Sequence, residues 1–362
     1  MPTVFRRRPP SITELEPLVA GNGHQWLSLC RDKSPGEGED APPIARLYET
    51  RSDAALLGVF DGLGGAGGRI NETENGERHS SAYFAARIAR SVSLTYFRDI
   101  LPQLFEKAFE PQIFVNDLQE VLLAALQRHA RELRTGPSRL RSSIISTLPT
   151  TTALAFLETD PIEELLRGLA IWSGDSRVFV LTPAYGLSQV TVDDLRAGGD
   201  AFENLAQDSP MSNYASADRP FHLNYRVFTI SLPGIVLAAT DGCYHYLPSP
   251  MHWEYLLLDT LSRAGDTVGW SVGIEQALAP VAGDDVSLAL VAAGWDSFAA
   301  LKHDFGDRLT YLRERYIEPL DRVSPRSGVE NGYGELSRQL WDRYKHTYEW
   351  GWAEDGSRGV NR

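Results

Sequence analysis

Two hydrophobic periodicities divide the chain. Short apolar runs of strand length occupy residues 25–30, 54–61, 151–158, 168–174, 177–183, 226–232, 234–242 and 284–294, most of them bounded by Gly, Pro, Asp or Ser. Apolar residues recur at helical spacing over 78–98 (Phe84, Ile88, Val92) and 100–134 (Leu118, Val121, Leu122, Leu126), and a further amphipathic stretch spans 251–262. The segments 31–43 and 136–146 are polar and read as loops, and 193–224 is too irregular for core. Strands joined by short turns, with helices grouped before and between them, predict an α+β fold with antiparallel sheets.

After Gly294 the helical spacing returns. Phe298, Leu301, Phe305, Leu309, Leu312 and Tyr316 fall on one face, as do Leu336, Leu340, Trp341, Tyr344, Tyr348 and Trp352. The aromatic stripe Trp341/Tyr344/Tyr348 reads as core or as a docking surface. The expected organisation is a flexible segment over 1–20, a main domain over 21–297 and a helical extension over 298–362, packed on that domain or on a partner.

Composition narrows the function. Of 362 residues 43% are apolar, enough for a core, and no apolar run approaches the roughly 20 residues of a membrane-spanning helix. The start MPTVFRRRPP is basic with no apolar stretch behind it, unlike a secretory signal. A net charge of −13 argues against a nucleic-acid partner. Cys30 and Cys243 are too few for a disulfide framework or a four-cysteine zinc site. The expectation is an acidic cytoplasmic protein that binds neither membrane nor nucleic acid.

Several apolar runs end or begin on aspartate: Asp61 after LLGVF, Asp241 after IVLAAT, and Asp284–Asp285 before VSLALV. A carboxylate at the end of a core strand is held by rigid scaffold. Asp61 and Asp241 each precede a glycine, which lets backbone approach a ligand closely. The loop pair Glu39–Asp40 is a candidate to join them. Converging carboxylates repel unless a cation lies between them, and an all-oxygen donor set favours magnesium or manganese. Asp-Gly pairs are also ordinary turn signals. A rival lies in residues 62–67, which match G-x-G-x-x-G after a strand. That fingerprint needs a helix opening at once, whereas RINETENGE follows here, and Asp61 would repel a phosphate.

Taken in order, GED (38–40), GVFDGLGG (58–65), LPTTTALAF (148–156), WSGDSRVFVL (172–181), AATDGCYHYL (238–247) and GDDVSLALV (283–291) resemble the PP2C, or PPM, family of metal-dependent serine/threonine protein phosphatases, over roughly residues 25–295. The resemblance implies a sandwich of two antiparallel sheets flanked by helices. It implies two Mn2+ or Mg2+ ions, with Asp61 bridging them and Gly62 offering its carbonyl. Asp241 and Asp284 complete one ion and Glu39 the other, with Asp40 further out. A two-metal centre activates water for in-line attack on phosphorus, so no nucleophilic cysteine is needed and Cys243 reads as a small buried residue. The implied substrate is a phosphoserine or phosphothreonine protein, with a serine/threonine kinase as antagonist.

The departures are specific. Leu63 stands where many eukaryotic members have histidine, which points to the bacterial type. Pro35 stands where a phosphate-binding arginine is usual, leaving Arg31 or Lys33 for that contact. Thr147 and His245 stand at the acidic positions of a third metal. A phosphatase-like domain that binds a phosphoprotein or regulatory partner without turnover is the alternative these departures raise. Asp175-Ser176-Arg177 reads as a scaffold turn, and Thr150–Thr152 as ordinary sheet threonines.

Overall fold

The computed structural model describes residues 24–48, 51–72, 76, 78–100, 110–135, 146–196, 199–206, 209–323 and 332–349; the expectations for residues 1–20 and for Trp352 lie outside them. Strands β1 (His24–Arg31), β2 (Ala41–Tyr48) and β3 (Arg51–Phe60) come first. One helical turn, α1 (Gly64–Gly67), leads to β4 (Ile70–Glu72) and β5 (Arg78–Ser80), then to helices α2 (Ser81–Ile100) and α3 (Pro111–Glu132) and to β6 (Arg134–Thr135). Next are β7 (Thr152–Asp160), β8 (Leu165–Ser173), β9 (Arg177–Thr182), β10 (Gly186–Gln189), α4 (Ala201–Ala206), β11 (Asn224–Ser231) and β12 (Gly234–Ala239). A 3-10 turn at Asp241–Cys243 precedes α5 (Pro250–Arg263), α6 (Thr267–Leu278) and β13 (Val286–Ala293). Helices α7 (Phe298–Asp304), α8 (Gly306–Leu312), α9 (Glu318–Val323) and α10 (Tyr333–Tyr348) follow, with a π-helical turn, Arg313–Ile317, between α8 and α9.

The strands form two five-stranded antiparallel sheets, β1-β13-β12-β9-β10 and β11-β8-β7-β3-β2, and a small sheet β5-β4-β6. Strand alternation explains how the large sheets stack. On β13, Ala289, Val291 and Ala293 face the inter-sheet core, while Val286, Leu288, Leu290 and Ala292 face the outer core with α5 and α6. On β3, Ala55, Leu57 and Val59 point between the sheets, and Ala54, Leu56 and Phe60 point toward α2 and α3. Both faces are covered, so the central strands read as unbroken apolar runs. Full burial of each Leu or Val contributes roughly 1.5–3 kcal/mol. The fold is the expected α+β sandwich with C-terminal helices. Among the described residues no helix is long and apolar enough to cross a membrane.

Several elements differ from what the periodicity predicts. β2 begins at Ala41 and carries Pro42 and Pro43, which an edge strand tolerates at the register shift between Ala41 and Ile44. Helix α6 and strand β10 were not marked by the periodicity. The irregular segment also contributes core, through Ala215, Phe221 and Leu223.

The C-terminal helices share one core with α5 and the first sheet: Leu301, Phe305, Leu312, Leu320, Trp341, Tyr344 and Tyr348 are all buried there. A polar knot fixes their register. Glu254 on α5, fully buried, accepts two bonds from Arg308 on α8, at 2.7 and 2.9 Å, and a short one from the Tyr344 hydroxyl on α10. Truncating the cation would leave a buried carboxylate without its counter-charge. Arg308→Ala is expected to lower unfolding free energy by about 3–5 kcal/mol in urea titration. A loss under about 1 kcal/mol, the range of exposed pairs, would show that water compensates Glu254.

Candidate active site

The acidic residues singled out above lie at the strand ends on one rim of the two sheets. Asp61 follows β3, and its carbonyl is held by the Thr150 hydroxyl at 2.7 Å and the Thr151 N–H at 2.9 Å. Thr150 and Thr151, just before β7, therefore anchor the aspartate, and of the three threonines only Thr152 lies in the sheet. Asp241 follows β12, where the N–H groups of Tyr244 and His245 donate to its carbonyl at 3.0 and 2.7 Å. Asp284, exposed, precedes β13 and accepts the Asp285 N–H at 2.9 Å. Glu39 and Asp40 sit just before β2.

Two glycines permit this convergence. A β-carbon on Gly62 would lie 2.7 Å from the Glu39 carbonyl and 2.8 Å from that of Ala82. One on Gly242 would collide with the Asp285 carbonyl. The Glu39 carboxylate in turn lies against Gly64, in α1. That single turn gives way to β4, so the G-x-G-x-x-G run opens no long helix.

Asp285 has a role the sequence reading left unassigned. Its buried carboxylate accepts from the backbone N–H groups of Lys33 (2.7 Å), Glu39 (2.6 Å) and Asp40 (3.3 Å), clamping the acidic loop to β13. Asp40 is buried too and accepts the Thr240 hydroxyl at 3.1 Å.

The electrostatics follow from burial of like charges. Burial, then Asp285, raises Asp40 to about 7, with Thr240 and Ser287 pulling the other way. Burial pushes Asp61 and Asp241 well above the carboxylate range; Asp40 and Asp241 reinforce it at Asp61, and Asp175 and Asp284 at Asp241. Glu39 is raised by burial against an opposing hydrogen bond from Ser80. Asp175, read above as part of a scaffold turn, belongs to this cluster electrostatically: burial and Asp193 raise it to about 6, and its Oδ1 is buried without a hydrogen-bond partner. Cys243 is buried, donates to the Ser287 carbonyl at 3.3 Å, and has its thiol pushed up by burial, the opposite of an activated nucleophile.

An all-oxygen donor set in which Asp40, Asp61 and Asp241 are buried and raised fits hard divalent cations. Among the described residues no three His, Cys, Asp or Glu side chains close around one point, so these are neighbouring like charges and not a formed ligand shell. At the third-metal positions, Thr147 gives its N–H to Asp218 at 3.0 Å, and His245 packs edge-on against Tyr246. Asp218 is occupied by Ser146, Ser216 and Thr147.

The two residues expected to contact phosphate lie beside this rim: Arg31 pairs with Val286, and the Lys33 N–H meets Asp285. Arg31 is partly exposed at the end of β1, and the Lys33 side chain is exposed on the loop. Arg87 on α2, which no motif singles out, also reaches the acidic loop. Its Nη1 donates to the Glu39 and Tyr83 carbonyls at 3.2 Å each, and its guanidinium lies 3.3 Å from the Tyr83 ring centroid. No signal in the sequence marks it, because its partner lies 48 residues away.

No family model matches the sequence, and no curated protein matches it. Solved structures do share the fold. The Mycobacterium tuberculosis serine/threonine phosphatase PstP/Ppp superposes with a TM-score of 0.50 at 13% identity, over 75% of this chain and 99% of that one. A bacterial serine phosphatase gives 0.52 at 16% identity, over 76% and 98%. The fold is that of the bacterial PP2C-type phosphatases implied by the motifs.

Acids with raised pKa values make stability pH-dependent in a defined direction. The folded chain holds protons on Asp40 and Asp175 to about 7 and about 6, whereas the unfolded chain releases them near the ordinary value of 3.8. Stability of the protein in chelator should therefore be greatest at the acid end of that window and fall as pH rises through it. The expected outcome is a higher Tm in EDTA at pH 5 than at pH 8, with a shallower slope for Asp61→Asn. A Tm that climbs from pH 5 to pH 8 would contradict the charge cluster.

Proposed function

We propose that this protein is a metal-dependent phosphomonoester hydrolase that removes phosphate from phosphoserine and phosphothreonine in proteins. What supports the reading is that Asp61, Asp241 and Asp284 flank the ends of three strands and Glu39 precedes a fourth, on one rim of a fold shared with serine/threonine phosphatases. Asp61, Asp241, Asp284 and Glu39 would hold two Mn2+ or Mg2+ ions with the Gly62 carbonyl, and Asp40 would act further out, through Thr240. Bound divalent ions supply a water of lowered pKa and offset charge on phosphoryl oxygens.

The chain's own residues supply the rest. The strand ends fix the carboxylates, Asp285 holds the acidic loop against β13, and Gly242 lets the turn after β12 approach the Asp285 backbone. Arg87, stacked on Tyr83 and without an ion pair to a carboxylate among the described residues, is the guanidinium suited to orient a substrate phosphate. Arg31 and Lys33 remain candidates for the same contact. A serine/threonine kinase is the natural antagonist, and the cytoplasm the compartment that fits an acidic chain with two free thiols.

A non-hydrolytic phosphoprotein binder is the second reading, favoured by the absence of a closed ligand set among the described residues. Hydrolysis of a phosphothreonine peptide separates the two. Turnover is expected with Mn2+ or Mg2+ and not in EDTA, and Asp61→Asn, Asp241→Asn or Asp284→Asn should each lower kcat by at least about 100-fold. Peptide binding without turnover in either metal selects the second reading.

The phosphate contact is tested separately. Arg87→Ala should raise KM by about tenfold while changing kcat less, because the contact already exists in the ground state. If only Arg31→Ala or Lys33→Ala raises KM, the assignment passes to that residue.

A further inference from the structure

The C-terminal helix reaches the rim of the site through one buried arginine. Arg177 opens β9 directly after the Asp175–Ser176 turn and is 3% exposed. Its Nε and Nη2 donate to the two oxygens of Asp193 at 2.8 and 2.6 Å. Nη1 points away from that carboxylate and donates to the Tyr348 hydroxyl, in the last turn of α10, at 3.4 Å. The guanidinium covers the Tyr244 ring, with Cζ 4.3 Å from the centroid. Tyr244 then makes two contacts to the acidic rim: its hydroxyl donates to the Asp175 carbonyl at 2.5 Å and its N–H to the Asp241 carbonyl at 3.0 Å.

We propose that Tyr348 and Arg177 are positioning residues for the Asp175–Asp241 side of the site, so that α10 completes the catalytic domain and does not merely append to it. The inference rests on the phosphatase reading for its catalytic consequence, but its structural core does not. The bidentate bond to Asp193 anchors the Nε/Nη2 edge of the guanidinium, and the Nη1 contact to Tyr348 sets its tilt over Tyr244. Without the Tyr348 hydroxyl, a buried charged N–H loses its partner and the guanidinium is drawn off the Tyr244 ring toward another acceptor. Tyr244 then holds the two aspartate carbonyls less tightly. Helix α10 stays seated in that variant, because Trp341 Nε1 donates to Asp200 at 2.9 Å, Ser188 Oγ donates to the Thr347 carbonyl at 2.6 Å, and the Tyr348 ring remains packed against Phe179 and Trp341.

The test uses the full chain with Tyr348→Phe and Arg177→Lys, and Ser188→Ala as a control that loosens α10 without touching Arg177. Amide hydrogen exchange at Tyr244 and His245 should accelerate about tenfold in the first two variants, the equivalent of one hydrogen bond, with β13 unchanged. Mn2+ affinity by calorimetry should fall several-fold, and kcat should fall while KM holds. Wild-type exchange at Tyr244 and His245 in Tyr348→Phe, or the same acceleration in Ser188→Ala, overturns the proposal. So does faster exchange with unchanged Mn2+ affinity and kcat, which would reduce the contact to scaffold. A wild-type protein with no phosphatase activity would sink the proposed function alone, because hydrogen exchange and Mn2+ affinity together decide this inference without turnover.

Discussion

Like charges are crowded onto the rim where the two sheets meet, and most of the surrounding architecture serves to keep them there. Burial raises Asp40, Asp61, Asp175 and Asp241, and neighbouring aspartates add to it: Asp285 at Asp40, Asp40 and Asp241 at Asp61, Asp193 at Asp175, and Asp175 and Asp284 at Asp241. Each would relax outward if its backbone were free to move. It is not free. β3, β12 and β13 are central strands, paired on both sides and buried on both faces, and their ends cannot shift without breaking hydrogen-bond ladders and two layers of apolar packing. Glycine at 62 and 242 brings the backbones closer than any side chain would allow. Asp285 spends its carboxylate on three backbone N–H groups, converting a repulsive neighbour into a clamp. A rigid frame holds together a cluster of like charges whose repulsion only a bound cation or a proton would relieve.

Much of this was legible in the sequence because it is local. The apolar runs that became β1, β3, β7–β9 and β11–β13 carry their own signal, and Asp61-Gly62 and Asp241-Gly242 announce strand ends in two letters each. The C-terminal periodicity identified the aromatic stripe as core or docking surface, and Trp341, Tyr344 and Tyr348 are core. What escaped is non-local or masked by composition. β2 begins with two prolines, which read as loop until the strand is seen to lie at a sheet edge. Arg87 meets Glu39 across 48 positions, Asp285 meets Lys33 across 252, and Arg177 meets Tyr348 across 171. No pattern in a single sequence connects such pairs, since their proximity is a product of the whole topology. The motif at 174–177 was read as scaffold for a related reason: the electrostatic reach of Asp175 depends on burial, and burial is decided elsewhere in the chain.

The position of α10 has a consequence beyond the site. The first sheet ends at β10, a four-residue strand whose outer edge would otherwise offer unpaired N–H and C=O groups to any passing strand. Helix α10 packs beside it, with the Thr347 carbonyl taking the Ser188 hydroxyl and Tyr348 turned in against Phe179 on the next strand. Exposed sheet edges are templates for association between chains, and natural proteins blunt them with short strands or a covering helix. This sheet uses both. A chain that has not yet docked its last helix, as during synthesis or partial unfolding, therefore presents an open strand edge beside a bared aromatic core, and its solubility depends on how quickly that helix arrives.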